Sequence, residues 1–127
     1  MDKQVFRDGM DHVVNKIEIN LDRFINRFPH VSDGLVYSGE VNNLWTAAFW
    51  PGLNHLAYQY TQDKKFLQNS ESYLESFTER LENGHTETHD LGFLYTLTGV
   101  ALYKLTASNR AKDLAIRAAH RLTHRYH

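Results

Sequence analysis

Residues 41–62, VNNLWTAAFWPGLNHLAYQYTQ, form the longest stretch of the chain without an acidic residue, a lysine or an arginine. A second stretch of this kind covers residues 91–103. A helix without charge on any side is suited to burial on all sides. We therefore predict two buried helices, one over residues 44–61 with a kink or restart near Pro51, and one over residues 90–105.

Three other helices are predicted from apolar residues that recur at helical spacing. The first runs up to Pro29, which ends it because the residue before a proline favours extended geometry. The third begins at the N-cap candidate Asp63 and ends near Gly84, and the fifth begins at the N-cap candidate Ser108. Residues 30–43 are expected to form a loop, and no strand is predicted.

The amphipathic, charged helices and the uncharged helices alternate along the chain. This alternation fits two concentric layers, with the charged helices outside and the uncharged helices inside. The alternative is a small bundle with two central helices. If the inner helices run parallel, their N-termini lie at the same end of the inner layer. Trp45, His89 and Asp90 then line one opening at that end, which we call the mouth.

Composition excludes several classes of function. The 127 residues contain no cysteine, so a disulfide scaffold, a thiolate metal site and a cysteine nucleophile are excluded. A net charge of −1 gives no general attraction to nucleic acid or to a membrane. The first five residues lack the basic and apolar regions of a secretion signal. We therefore expect a cytoplasmic domain.

The mouth of the inner layer has a composition that suits carbohydrate chemistry. Aromatic rings such as that of Trp45 pack against the C–H face of a sugar, and His89 can hydrogen-bond to hydroxyl groups. Glycosidases generally use two acidic residues, and Asp90 is a candidate for one of them. The alternatives are that Asp90 serves only as a helix N-cap and that Trp45 is a core residue.

Five segments of the chain carry a family resemblance when they are taken in order. They are Phe28–Gly34, Trp45–Gly52, Tyr58–Asp63, His89–Tyr95, and Ala118-Ala119 through Leu122 to Arg125-Tyr126. Together they resemble the unsaturated glucuronyl hydrolases of glycoside hydrolase family 88. The His-Asp-Leu-Gly-Phe sequence that begins at His89 is the most specific part.

The resemblance implies an all-α fold, the N-terminal helical hairpins of an (α/α)6 barrel of the six-hairpin glycosidase type. Six hairpins need twelve helices and the sequence predicts five. Residues 1–127 are therefore expected to be the incomplete N-terminal part of a single glycosidase domain. The resemblance implies no metal and no organic cofactor.

The resemblance also implies an activity. Family members release the unsaturated uronic acid from oligosaccharides, of glycosaminoglycan type, that polysaccharide lyases have cut, and they do so by hydrating the C4=C5 enol ether. Asp90 matches the first catalytic aspartate, to which we assign charge stabilisation and positioning. His89 matches a sugar-contacting position and Trp45 a substrate-packing aromatic. The second catalytic aspartate of the family has no counterpart in this chain. The related unsaturated rhamnogalacturonyl hydrolases are the alternative enzyme class.

Three places depart from the family pattern. Ala48 stands where the family usually has glycine, Asn54-His55 replaces an apolar residue followed by tryptophan, and Gln59 replaces glutamate. These changes concern the packing of the inner wall.

Two further hypotheses come from charged and ligating residues. His85 and His89 are four residues apart, as are His120 and His124, but neither pair has an evident third ligand for a metal. From Lys104 onward the chain has six basic residues and one acidic residue. This basic helix is expected to be a solvated outer face. The alternatives are a non-catalytic helical module that binds an acidic partner or nucleic acid, and self-association through exposed inner helices.

Overall fold

A computed structural model describes residues 3–125 of the chain. These residues form seven α-helices, a π-helical segment and two β-strands. In chain order they are α1 (Lys3–Glu18), β1 (Phe28–Asp33), β2 (Val36–Glu40), α2 (Phe49–Thr61), α3 (Lys64–Ser72), α4 (Leu74–Glu82), α5 (Leu91–Tyr95), the π segment (Thr96–Val100), α6 (Ala101–Thr106) and α7 (Asn109–Thr123). Tyr126, which ends the last of the five matched segments, lies outside the described residues.

The two uncharged stretches form the inner layer of helices. Helix α2 packs against the continuous run from α5 through the π segment to α6, while α3, α4 and α7 lie against their outer side. The prediction of burial on all sides is wrong for the described part of the chain. Leu53 and Leu56 on α2 are exposed, because no described element covers that side of the helix.

Residues 28–40, most of which were expected to form a loop, instead form an antiparallel β-hairpin. Phe28 pairs with Glu40 and Asp33 with Val36, with a register irregularity between Pro29 and Ser32. The two-residue connection begins at Gly34, whose φ of 60° is readily adopted only by glycine. Glycine at the first position of a two-residue connection is a hairpin signal, and it is the feature from which the strands could have been predicted.

The boundaries of two predicted helices also differ from the structure. Helix α1 ends at Glu18 rather than near Pro29, because the side chain of Asn20 donates a hydrogen bond to the Lys16 carbonyl at 2.8 Å and closes the helix end. Helix α2 begins at Phe49, so the predicted restart near Pro51 is the start of the helix itself. Proline is tolerated there because the first helical turn needs no N–H donor.

The predicted third helix is divided at Tyr73 into α3 and α4. The buried Tyr73 hydroxyl donates to the Phe24 carbonyl at 2.6 Å and accepts from the Trp50 indole at 2.8 Å. Both predicted caps are confirmed: Asp63 accepts from the Lys65 amide, and Ser108 accepts from the Ala111 amide. The side chain at the break therefore contacts residues distant in the sequence, whereas the caps depend on neighbours in the chain.

The predicted fourth helix contains the π segment at its centre. There Gly99 lies against α7, and a Cβ atom at this position would stand 3.1 Å from the Ala111 carbonyl oxygen and 3.2 Å from the Ala115 amide nitrogen. The absence of a side chain allows the two helix backbones to approach closely. This approach places α5, at the start of the same run, beside α7.

Candidate active site

Asp90 stands immediately before α5, but its carboxylate does not cap that helix. Oxygen Oδ2 instead accepts a hydrogen bond from the Thr88 hydroxyl at 3.2 Å, and the Asp90 amide donates to the same hydroxyl at 3.2 Å. The Asp90 side chain is 25% exposed. The cap-only interpretation is therefore not supported, and one face of the carboxylate is open to a ligand.

His89 lies beside Asp90 and points into solvent. Its Nε2 atom is 3.6 Å from Asp90 Oδ2, and its side chain is 94% exposed. An imidazole in this position can rotate toward a hydroxyl or carboxylate group that arrives next to Asp90. A protonated imidazole would also add positive charge beside the carboxylate.

Trp45 is half exposed and belongs to a row of aromatic rings that leads to α5. Its ring meets Phe49 edge to face at a centroid distance of 5.9 Å, and Phe49 meets Phe93 at 5.0 Å. Phe93 lies one helical turn after Asp90. The structure thus connects Trp45 to the helix that follows Asp90, through two aromatic residues that the sequence did not single out as site residues.

Arg80 links the segments on either side of this site. It is 4% exposed, although the charged character of the predicted third helix suggested an outer position. Its Nη1 atom donates to Asn42 Oδ1 at 3.0 Å and to the Leu44 carbonyl at 2.8 Å, and its Nε atom donates to the His85 carbonyl at 3.2 Å. Burial lowers the pKa of Arg80 from its ordinary value, and the electrostatic effects of Tyr95 and Asp90 oppose that lowering.

Two arginines of the basic C-terminal region, Arg121 on α7 and Arg125 just after its end, hold the segment before Asp90. Arg121 donates to the Thr86 hydroxyl at 3.2 Å, and Arg125 donates to the carbonyls of Thr86 and Thr88. Two others form ion pairs: Arg110 with Glu75 at 3.0 Å and Arg117 with Glu82 at 2.8 Å. These contacts occupy the basic face, so they disfavour its use as a docking surface for an acidic partner or nucleic acid.

The histidine pairs of the sequence do not assemble into a metal site. Among residues 3–125, no group of three or more histidine, aspartate or glutamate side chains is placed to hold a metal ion. No helix in the described part of the chain is both long and apolar enough to cross a membrane.

A helical double layer that presents an open carboxylate beside aromatic rings is typical of glycosidases built from helical hairpins. The comparisons with known proteins agree with this class, although no family model matches the chain. The unsaturated chondroitin disaccharide hydrolase of Streptococcus pneumoniae is 36% identical over 98% of this chain and 32% of its own length. The unsaturated glucuronyl hydrolase of Bacillus sp. strain GL1 is 39% identical over 84% of this chain and 29% of its own length.

Solved structures give the same result. The crystal structure of the unsaturated glucuronyl hydrolase of Streptococcus agalactiae superposes with a TM-score of 0.93 at 33% identity, covering 99% of this chain and 32% of that protein. An aspartate-to-asparagine variant complexed with dGlcA-GalNAc6S superposes with a TM-score of 0.89 at 34% identity, covering 94% of this chain and 32% of that protein. By sequence and by fold, the chain is similar to part of the unsaturated glucuronyl hydrolases. Its fold is part of an (α/α)6 barrel, and it spans about a third of the length of the relatives it matches.

Proposed function

We propose that this chain contributes the first catalytic carboxylate, Asp90, and a substrate-binding wall of a glycosidase that hydrates unsaturated uronic acids. The observation that carries the proposal is the Asp90 carboxylate, which does not cap its helix and is directed to Thr88 and His89. The substrate is an oligosaccharide that ends in a 4,5-unsaturated uronic acid. The names of the relatives support this class, and the ligand of the Streptococcus agalactiae variant supports a chondroitin-type disaccharide.

In the proposed reaction, a general acid gives a proton to C4 and water adds to C5. The product is a hemiketal at C5, which opens and releases the neighbouring sugar. The electron-poor centre that develops at C5 is stabilised by the negative charge of Asp90, which also orients the attacking water. Trp45 packs against the sugar ring, and His89 hydrogen-bonds to a substrate oxygen. The family's second aspartate is assigned to no residue of this chain.

The test follows the ultraviolet absorbance of the C4=C5 double bond in an unsaturated chondroitin disaccharide. Because this chain has no counterpart of the second aspartate, the proton for C4 must come from solvent, and we expect the wild-type chain to remove this absorbance only slowly. Asp90→Asn should be slower again by at least about a hundredfold, since loss of one electrostatic stabiliser costs roughly this much. Asp113→Asn is the matched control, because Asp113 is an exposed aspartate on α7. Equal rates for the two variants, or no loss of absorbance with the wild-type chain, would contradict the proposal.

A further inference from the structure

Arg80 is a buried cation whose hydrogen bonds go to uncharged acceptors. The three acceptors are one side-chain amide oxygen and two backbone carbonyls. Burying a guanidinium costs free energy unless its hydrogen bonds and a nearby negative charge compensate. A core position on α4 could hold an apolar side chain without this cost, so packing alone does not account for an arginine here.

The acceptors of Arg80 lie in two separate segments of the chain. Asn42 and Leu44 directly precede Trp45, whereas His85 begins the loop that leads to His89 and Asp90. In sequence, these two segments are about forty residues apart, and they lead into different inner helices, α2 and α5. One planar guanidinium with fixed donor directions therefore sets the distance between them.

The Asp90 carboxylate lies close enough to act electrostatically on this cation, in the direction that raises the pKa of Arg80. Among residues 3–125, no other arginine is both buried and hydrogen-bonded to the two segments. Arg121 and Arg125 contact only the segment before Asp90. Arg110 and Arg117 are paired with glutamates on α4.

We propose that Arg80 is a positioning residue, which joins the segment of Trp45 to the segment of His89 and Asp90 and so sets the geometry of the substrate-binding mouth. Its catalytic consequence rests on the proposed function of Asp90. The structural part, the link between the two segments, can be tested separately. Arg80 does not touch the substrate in this proposal; it acts through the residues that do.

The structural test uses the indole signals of the ¹⁵N-labelled chain in solution. The chain has two tryptophans, Trp45 at the mouth and Trp50 in the core, where its indole is bonded to Tyr73. We expect Arg80→Gln to shift the Trp45 signal and to leave the Trp50 signal in place. Arg110→Gln is the matched control, because it removes an exposed arginine whose ion pair is with Glu75 on α4 and with neither segment.

If Arg80→Gln does not fold, the Trp50 signal will leave its native position, and a second variant is then needed. Asn42→Ala removes one acceptor of Arg80 at a partly exposed position, and it also removes the hydrogen bond that Asn42 Nδ2 donates to Ser76 Oγ at 3.1 Å. Ser76→Ala, which removes only this second bond, is therefore its control and should leave the Trp45 signal in place. Asn42→Ala is expected to shift the Trp45 signal as well. If the Trp45 signal stays at its wild-type position in every variant that folds, the proposal is wrong.

The catalytic test measures KM and kcat with the unsaturated disaccharide. We expect Arg80→Gln to raise KM and lower kcat, with kcat/KM reduced by about tenfold or more, because both the aromatic wall and Asp90 lose their relative position. Arg80→Lys should restore this only in part, since an ammonium group cannot reproduce the guanidinium geometry. A fall in kcat at unchanged KM, or full rescue by lysine, would contradict the proposal. A wild-type chain without turnover would overturn the proposed function, and the indole signals would then decide the role of Arg80.

Discussion

Acidification should destabilise this chain through His55, a buried histidine on the inner helix α2. Its Nδ1 atom donates to the Leu97 carbonyl at 3.1 Å, and its Nε2 atom accepts from the Ser70 hydroxyl. This arrangement needs the neutral imidazole, because a proton on Nε2 would remove the acceptor for Ser70. Burial lowers the pKa of His55 to about 4, from an ordinary value of 6.5.

The sign and size of the effect follow from these two pKa values. Above pH 6.5, the folded and unfolded states both hold neutral His55, and the stability is complete. Between pH 6.5 and pH 4, the unfolded chain takes up a proton that the folded chain does not, so the free energy of unfolding falls. From pH 7.5 to pH 4.5, the expected loss from this residue is about 2.5 kcal/mol, at about 1.36 kcal/mol for each pKa unit.

The assay is urea denaturation of the wild-type chain and of His55→Gln at pH 7.5 and pH 4.5. Glutamine does not titrate, and carboxylates that titrate in both proteins cancel in the comparison. His55→Gln should be less stable at pH 7.5, but its stability should fall by about 2.5 kcal/mol less on acidification than that of the wild-type chain.

His12→Gln is the control, because His12 is an exposed histidine on α1. This variant should lose as much stability on acidification as the wild-type chain. The reasoning is refuted if His55→Gln also loses the same free energy as the wild-type chain between the two pH values. In that case the neutral imidazole would contribute no pH-dependent stability.

Three other substitutions test the packing around the inner helices. Gly99→Ala should lower the free energy of unfolding by about 1–3 kcal/mol in urea denaturation, because the new Cβ atom would press on backbone atoms of α7. The control is Gly9→Ala, which should not destabilise the chain because α1 is open at this position. Tyr73→Phe should cost about 1–3 kcal/mol, since the Trp50 indole and the Phe24 carbonyl both lose their buried partner; an unchanged denaturation midpoint would count against this network. Leu56 is 55% exposed on the uncovered side of α2, so we expect the wild-type chain to self-associate and Leu56→Gln to do so less, as measured by sedimentation velocity. A wild-type chain that stays monomeric at high concentration would contradict this.

Local chemistry made part of the fold predictable. The lack of charge in residues 41–62 and 91–103 identified the inner helices, and Asp63 and Ser108 identified two helix starts. These features depend on a residue and its near neighbours, which the sequence displays directly. The β-hairpin was not predicted, although Gly34, at the first position of the two-residue connection, is a local signal for it.

The division of the predicted third helix was not predictable in the same way. Tyr73 bonds to Phe24, which is 49 residues away, and to Trp50, which is 23 residues away. The exposed side of α2 was equally hidden, because the apolar sequence of a helix shows that burial is favourable but not which elements are present to cover it.

For the site, the sequence alone determined which residues to consider: Trp45, His89 and Asp90, in a helical protein without cysteine. Only the tertiary structure decided whether Asp90 caps its helix, since an aspartate at a helix start can serve either role. The choice depends on where Thr88 lies, and the Thr88 carbonyl is held by Arg125 from 37 residues away. It alone also showed that Arg80 is buried. The physical reason is that the burial and hydrogen bonds of a side chain depend on residues far away in the sequence, which only the folded chain brings into contact.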